Sequence, residues 1–393
     1  MKNNQLNNTT SRNRGWVNVI ILGIASLLTD ISTEMVYPLI PFFLTVKLSA
    51  GPAILGLIEG FAESIASLLK VFSGYFSDKI RKRKPLAIIG YSSSLIGKFV
   101  LYLSSSWGMV FLGRLGDRFG KGVRTAPRDA LIADSTASDK RGRAYGLHRA
   151  MDTLGAAIGV LIAYYFLRNN IANYSRIFLL SIVPAVLGVV VLFLVKEQVQ
   201  SIWKQKEKLK LQWKLIPSRL RLFFIVIFIF ALGNSSNQFL LLRAKGLGFS
   251  ITGVLLLYLF YNLTYGILSF PIGHLSDKIG RKKILVIGYL IYGLVYLGFA
   301  IVGRASWLWL LFGTYGFYSA FTEGIEKAYV SDIAPAELRG TLIGLHATLV
   351  GIGLFPASLI AGGLWQIFGA SAPFYFGGGL GILAGIGLFL TIK

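Results

Sequence analysis

The sequence contains no cysteine, which excludes disulfides, thiolate metal sites and cysteine nucleophiles. Acidic residues are scarce as well. Seventeen Asp and Glu stand against 40 Lys and Arg, and only 15% of the 393 residues are charged while 54% are hydrophobic. A soluble domain of this length is not that apolar, so a bilayer must be the solvent. The polar N-terminal tail and the long apolar run behind it lack a small-residue cleavage pattern, so no signal peptide is expected. A phosphate loop is also missing: Phe119-Gly120-Lys121-Gly122 has Leu115 where glycine is needed and Gly122 in place of Ser or Thr. Transport driven by nucleotide hydrolysis is thereby disfavoured. No catalytic constellation points to a membrane-embedded enzyme, and no cofactor is called for.

What is present is a succession of apolar runs, each about the 20 residues that a hydrocarbon core requires. They cover 16–44, 53–77, 85–104, 107–129, 144–167, 175–196, 221–243, 250–276, 283–303, 306–330, 338–365 and 372–391. In a soluble protein the basic excess would suggest nucleic-acid binding. Here it falls in alternate loops, so no nucleic-acid partner is expected. The N-terminal tail, 79–84, 140–143, 196–221, 278–283 and Arg339 hold 24 basic residues on one face. The other face holds six: Lys47, Arg168, Arg176, Arg243, Lys245 and Arg304. The positive-inside rule puts the richer face and both termini in the cytoplasm. The pattern predicts an all-α polytopic membrane protein, with twelve transmembrane helices in two six-helix bundles over 1–196 and 221–393. Between them, 197–220 interleaves Lys204, Lys206, Lys208, Lys210 and Lys214 with Trp203, Leu209, Leu211, Trp213 and Leu215. Such a basic amphipathic linker suits the surface of anionic headgroups.

The halves repeat one another. Gly74-Tyr-Phe-Ser-Asp78-Lys79-Ile80-Arg81-Lys82-Arg83 returns 199 residues later as Gly273-His-Leu-Ser-Asp277-Lys278-Ile279-Gly280-Arg281-Lys282. Ala130, Asp134, Arg141, Gly142, Gly146, Leu147 and His148 return at an offset of 198 as Ala328, Asp332, Arg339, Gly340, Gly344, Leu345 and His346. Parallel repeats with an even number of spans would be related by an axis along the membrane normal.

These residues resemble the major facilitator superfamily, whose loop after the second helix carries Gly-x-x-x-Asp-(Arg/Lys)-x-Gly-x-(Arg/Lys)-(Arg/Lys). Residues 273–283 match it throughout, and 74–84 depart once, with Arg81 in place of glycine. The resemblance implies the superfamily's twelve-helix fold and alternating access, in which the halves rock about a central site. It also implies a cytoplasmic gate at Gly74, Asp78, Lys79, Gly273, Asp277, Lys278 and Arg281, to which the second repeated motif adds Arg141 and Arg339. A tight loop would let Asp78 and Asp277 reach helix ends of the opposite half, where an N-terminus or a basic side chain holds a carboxylate. The same basic run also sets topology. Gly146, Gly155 and Gly159 follow the spacing of the superfamily's glycine-rich antiporter motif, with Val160 where its proline belongs. Close helix packing accounts for these glycines equally well.

Ionisable groups inside spans cost several kcal/mol unless they pair or face water. Asp30, Glu63, Asp117 and Arg118 fall near the middle of their runs, with Glu34, Glu59 and Arg114 further toward the outside. In the fourth run Arg114, Asp117, Arg118, Lys121, Arg124 and Arg128 share an arc of about 120° on a helix of 3.6 periodicity. Such a stripe cannot face lipid. It reads as a cavity wall that attracts an anion, Arg114 and Arg118 gripping carboxylate or phosphate oxygens beside Lys121. The alternative is a structural network that neutralises Asp30, Glu34, Glu59, Glu63 and Asp152.

The i, i+4 pairs Asp30/Glu34 and Glu59/Glu63 each set two carboxylates on one helix face, an arrangement suited to carrying a proton, and Asp117 joins them as a coupling candidate. In the second half Asn234, Asn237, Gln238 and Tyr261 are candidate neutral contacts to solute, with Asn262, Glu323 and Glu326 as further polar groups. Interhelical hydrogen bonding is the alternative for the amides. His148 repeats as His346, which favours a shared structural role over metal binding, and no metal ligand is assigned. These features together predict a monomeric secondary transporter in a prokaryotic cytoplasmic membrane, moving an organic anion with the proton gradient. Efflux of amphipathic drugs or lipids, along a path lined by some of the 28 Phe and 18 Tyr, is the alternative; transport of metal ions or chelates is a lesser one.

Overall fold

A computed structural model describes residues 2–80, 82–137, 140–169, 173–197, 216–335 and 338–391, with side chains from Gly15 onward except at 78, 169 and 391. Most of the expected linker, 198–215, lies outside the described residues, as do Arg81 and the side chain of Asp78. Among the described residues all regular elements are helical. Helix α1 (Lys2–Val36) runs on through a 3-10 turn (Tyr37–Leu39) and a π turn (Phe43–Lys47). There follow α2 (Pro52–Ile80), α3 (Arg83–Tyr102), α4 (Trp107–Asp134), α5 (Arg141–Asn169) and α6 (Tyr174–Leu192). The second half contains α7 (Ser218–Gly233), α8 (Gln238–Gly246), α9 (Ile251–Ile279), α10 (Arg281–Ile301), α11 (Leu308–Thr322), α12 (Ile325–Ile333), α13 (Arg339–Phe368) and α14 (Ala372–Thr391).

Nine segments among the described residues are long and apolar enough to cross a membrane. The runs 53–77, 107–129 and 306–330 are helical but fall outside that set. Charges interrupt the apolar character of α2 and α4, and the third run is split at Glu323-Gly324 between α11 and α12. Large apolar side chains such as Phe270, Ile267 and Phe389 are exposed on the helix surfaces, as expected where lipid covers them.

Local chemistry explains the helix ends. Ser106 caps α4 by accepting from the Met109 N–H at 3.4 Å, Asn173 caps α6 by accepting from the Arg176 N–H at 3.0 Å, and Ser250 caps α9 by accepting from the Gly253 N–H at 3.0 Å. Between α9 and α10 stands one residue, Gly280, at φ 97°, a left-handed conformation that glycine adopts without penalty. The corresponding link between α2 and α3 has Arg81 in place of that glycine and takes two residues, since α2 ends at Ile80 and α3 begins at Arg83. This extra residue is why the two repeated motifs sit at offsets of 199 and 198.

Two compact units make up the chain. The first comprises Met1–Tyr37 and Leu68–Lys206, the second Pro38–Ser67 and Glu207–Lys393, so α2 is shared between them. In the first unit α1 packs on α5 and α6, while α3 packs on α4 and α6. Val19, Leu22, Tyr91, Leu131, Ile132 and Leu192 belong to one buried cluster there. The α3–α4 seam is built on glycine. A Cβ at Gly97 would lie 2.5 Å from the Asp117 nitrogen and the Gly113 oxygen, and one at Gly120 would lie 2.3 Å from the Gly90 oxygen. In the second unit α10 packs on α14 and α11, α9 on α11, and α7 on α13 and α14.

Candidate functional site

The first unit encloses a cavity of about 400 Å³. Its walls come from four helices: Asp30 of α1, Lys70 of α2, Lys121, Arg124, Thr125, Arg128 and Asp129 of α4, and Tyr145, His148, Arg149 and Asp152 of α5. The α4 residues recur at i, i+3, i+4, i+7 and i+8, and the α5 residues at i, i+3, i+4 and i+7, so each set occupies one helix face. Five cations meet three carboxylates on this lining, with His148 beside them.

Several of these groups hold one another. Arg128 donates from Nε and Nη2 to Asp129 Oδ1 at 3.1 and 2.9 Å, and from Nη1 to Ser26 Oγ at 3.1 Å. Arg124 lies over the Tyr91 ring, 4.7 Å from its centroid, and donates to Ser94 Oγ. Tyr145 donates its hydroxyl to the Asp129 carbonyl at 2.8 Å. Asp30 feels the charges of Asp152, Arg124, Lys121 and Glu34. His148 Nδ1 is 3.4 Å from Asp152 Oδ2, while His148 Nε2 and Asp152 Oδ1 are buried without a hydrogen-bond partner.

The charged stripe on α4 therefore divides. Its C-terminal part, Lys121, Arg124 and Arg128, lines the cavity, whereas Arg114, Asp117 and Arg118 form a separate buried cluster. Asp117 Oδ1 accepts from Lys98 Nζ at 2.9 Å, and its Oδ2 is 3.4 Å from Arg114 Nη1 and 3.9 Å from Arg118 Nε. Both guanidinium groups lie near the Tyr37 ring, 5.2 and 5.4 Å from its centroid. Lys98, Arg114, Asp117 and Arg118 are between 1% and 4% exposed, so this cluster is closed to solvent in the state described.

Of the coupling candidates, Asp30 and Glu34 lie in the first unit, and Glu59 and Glu63 lie on the part of α2 that belongs to the second, where Glu59 is fully buried. The neutral candidates of the second unit surround a break in the helix. Between α7 and α8 the chain unwinds at 234–237, and non-helical backbone at membrane depth needs partners. Tyr292 donates to the Gly233 carbonyl at 2.7 Å, Asn234 donates to Tyr318 Oη at 3.2 Å, Tyr315 donates to Asn237 Oδ1 at 2.7 Å, and Ser236 N donates to Ser358 Oγ at 3.1 Å. Gln238 is fully buried at the start of α8, and Tyr261 Oη is 3.2 Å from Ser319 Oγ. Glu323 accepts from Tyr265 at 2.5 Å, and Glu326 accepts from Tyr289 at 2.9 Å and meets His346 Nε2 at 3.1 Å.

At the repeated loops, Arg281 bridges Asp277 at 3.3 Å and Asp332 at 3.0 Å, and Arg83 pairs with Asp134 in the first unit. Arg281 and Asp332 lie 198 residues after Arg83 and Asp134, so one ion pair is made twice. Lys79 and Lys278 are exposed at the ends of α2 and α9, Arg141 donates to the Ala133 carbonyl at 3.4 Å, and Arg339 is exposed at the start of α13. Gly74 faces Ala126, with 3.4 Å between an added Cβ and the alanine's, and Gly273 faces open space.

Sequence patterns alone do not single out Lys70, Lys98, Tyr145 or Arg149. The α5 spacing Tyr145, His148, Arg149, Asp152 was a usable signal, a polar face in an otherwise apolar run. Lys98 and Lys70 had none. Among the described residues no group of three or more His, Asp or Glu side chains is placed to hold a metal ion.

Comparison with known proteins agrees with this architecture. The family model described as Major Facilitator Superfamily matches residues 22–262 and 223–393. An uncharacterized MFS-type transporter of Methanocaldococcus jannaschii is 40% identical over 392 residues, 98% of this chain and 97% of that protein. The multidrug resistance protein MdtH of Blochmanniella pennsylvanica is 25% identical over 147 residues, 37% of this chain and 36% of its own length. Among solved structures, the nucleoside transporter NupG superposes with a TM-score of 0.79 at 15% identity, over 96% of this chain and 100% of that one, which speaks to the fold. The chain belongs to the major facilitator superfamily: it is a multi-pass membrane protein and a transporter of a small-molecule solute, not an enzyme.

Proposed function

We propose that the chain is a secondary active transporter that moves an organic anion, bearing carboxylate or phosphate groups, by alternating access coupled to protons. One observation carries this reading: five cationic and three acidic side chains converge on one cavity of about 400 Å³ inside an apolar protein. The cations on this lining outnumber the carboxylates, and an anionic solute is what balances the excess. Lys121 and Arg128 are the proposed anion contacts, and Asp30, on the α1 wall, is the proposed proton carrier. Arg114, Arg118 and Asp117 hold this wall in place from the buried cluster beside it. Asn234, Asn237, Gln238 and Tyr261 form the neutral part of the solute path. Twelve spans with cytoplasmic termini complete the proposal, the repeated loops acting as the cytoplasmic gate.

The similarity to MdtH over about a third of the chain favours drug efflux as a second reading. Proteoliposomes decide between the two. A panel of labelled carboxylates and phosphate esters, with a lipophilic cation alongside, is offered with and without an imposed pH gradient. Gradient-dependent, saturable movement of an anion that is lost in Lys121→Ala and uncoupled from pH in Asp30→Asn supports the anion reading. Movement of the lipophilic cation alone rejects it, and movement indifferent to pH removes the proton.

A further inference from the structure

The lining of the first-unit cavity restricts the charge of the solute as well as its sign. Its neutral donors are already engaged. Tyr145 gives its one hydroxyl hydrogen to the Asp129 carbonyl at 2.8 Å, Thr125 gives its own to the Lys121 carbonyl at 2.6 Å, and His148 is 4% exposed with Nε2 closed off. The side-chain hydrogens offered to a solute therefore sit on lysine and arginine, and each bond they make is charge-assisted.

These cations exceed the carboxylates by a definite amount. Arg128 and Asp129 face each other through two hydrogen bonds and balance in charge. Around them Lys70, Lys121, Arg124 and Arg149 stand against Asp30 and Asp152, a surplus of two positive charges with His148 counted as neutral. The four come from three helices, α2, α4 and α5. Lys121 and Arg149 are exposed and Lys70 is half-buried, so a solute can reach them.

The space around them is small. A volume of about 400 Å³ lies near the lower end of the range common for ligand sites, about 300–1,000 Å³, and no lining residue has an aliphatic or phenyl side chain on which a long hydrocarbon part would pack. A monocarboxylate held here leaves one surplus charge unbalanced at close range, whereas two negative charges balance both. Resting on the anion reading above, we infer that the solute is a small dianion, a short dicarboxylate or a phosphate monoester, and that Lys70 and Arg149 hold it alongside Lys121 and set the preference for two charges over one.

Calorimetric titration of the full chain in lipid nanodiscs compares succinate, methyl phosphate and butyrate at mildly alkaline pH, where both carboxyls of succinate are ionised. Succinate and butyrate share a chain length and differ in charge. At least one dianion should bind about tenfold or more tightly than butyrate, the difference made by one charge-assisted hydrogen bond. Whichever dianion does so identifies the source of the charges. Lys70→Gln and Arg149→Gln should each weaken that dianion about tenfold and butyrate less, so that the ratio between them falls. A merely structural role would weaken both alike. Arg143→Gln, which removes an exposed cation outside the lining, should leave the ratio unchanged. Butyrate bound as tightly as both dianions, a ratio that neither lining variant moves, or one that falls as far in Arg143→Gln overturns the inference and leaves the anion reading standing. Binding of none of the three removes that reading as well.

Discussion

Lys98 and Asp117 meet at 2.9 Å in an interior where each is 3% exposed or less, and this pair sets the position of Arg114 and Arg118. Replacing one partner strands the other. Lys98→Tyr or Asp117→Tyr alone should lower stability by about 3–5 kcal/mol, visible as a fall in unfolding temperature in detergent. The double variant should lose less than the sum of the two, because both charges are then gone. The repeat shows that such a seam can be neutral. Tyr296 and Tyr315 occupy the positions 198 residues on, with their ring centroids 6.1 Å apart. Sequence periodicity made the α4 side of this cluster legible, since an aspartate between two arginines on one face cannot be lipid-exposed. It could not find Lys98. A lone lysine in an apolar run reads as a snorkelling side chain, and only the packing of α3 on α4 brings it to a carboxylate 19 positions away.

Among elements, the α3–α4 seam leaves little room. An added Cβ at Gly97 or Gly120 meets backbone at 2.5 and 2.3 Å, and backbone cannot rotate aside as a side chain can. Gly97→Val and Gly120→Val should each cost at least about 2–3 kcal/mol, measured as lost monodisperse protein and a lower unfolding temperature. Gly146→Ala is the contrast: nothing lies within 4 Å of its added Cβ, and alanine is the better helix former, so stability should hold or rise. Gly155 and Gly159 resemble the seam glycines, each with a helix α1 carbonyl 2.5 Å from an added Cβ. Helix positions were readable from hydropathy because a bilayer imposes run length. Helix breaks were not, because an apolar run keeps its composition across a break. The runs 221–243 and 306–330 each contain two helices, and the local signs were there: Asn234-Ser-Ser-Asn237 and Glu323-Gly324 are turn formers that a hydropathy window averages away.

For the whole molecule, orientation is open to direct test because the natural chain has no cysteine to remove. Lys47→Cys and Arg304→Cys should react with a membrane-impermeant maleimide on intact cells, whereas Lys82→Cys and Lys278→Cys should react only after lysis; all four lysine and arginine side chains are exposed. The opposite pattern would invert the proposed topology. The duplication itself was the most legible feature of the sequence, since it rests on identical residues at fixed spacing. The arrangement of charge in the first unit was legible only in part, because a stripe of charge does not announce which members line a cavity and which pair beneath it.

The link of one residue at Gly280, against two between Ile80 and Arg83, governs how the two copies can be exchanged. Each residue of an α-helix turns by about 100°, so a graft aligned at the offset of 199 would rotate everything beyond that link by this angle and aim cavity-facing positions at lipid. A chimera in which 281–333 replaces 83–135 keeps helical phase, because past the link the copies run at 198. The duplicated gene thus retains a natural cassette boundary, and the loop that absorbed one insertion is the place to cut.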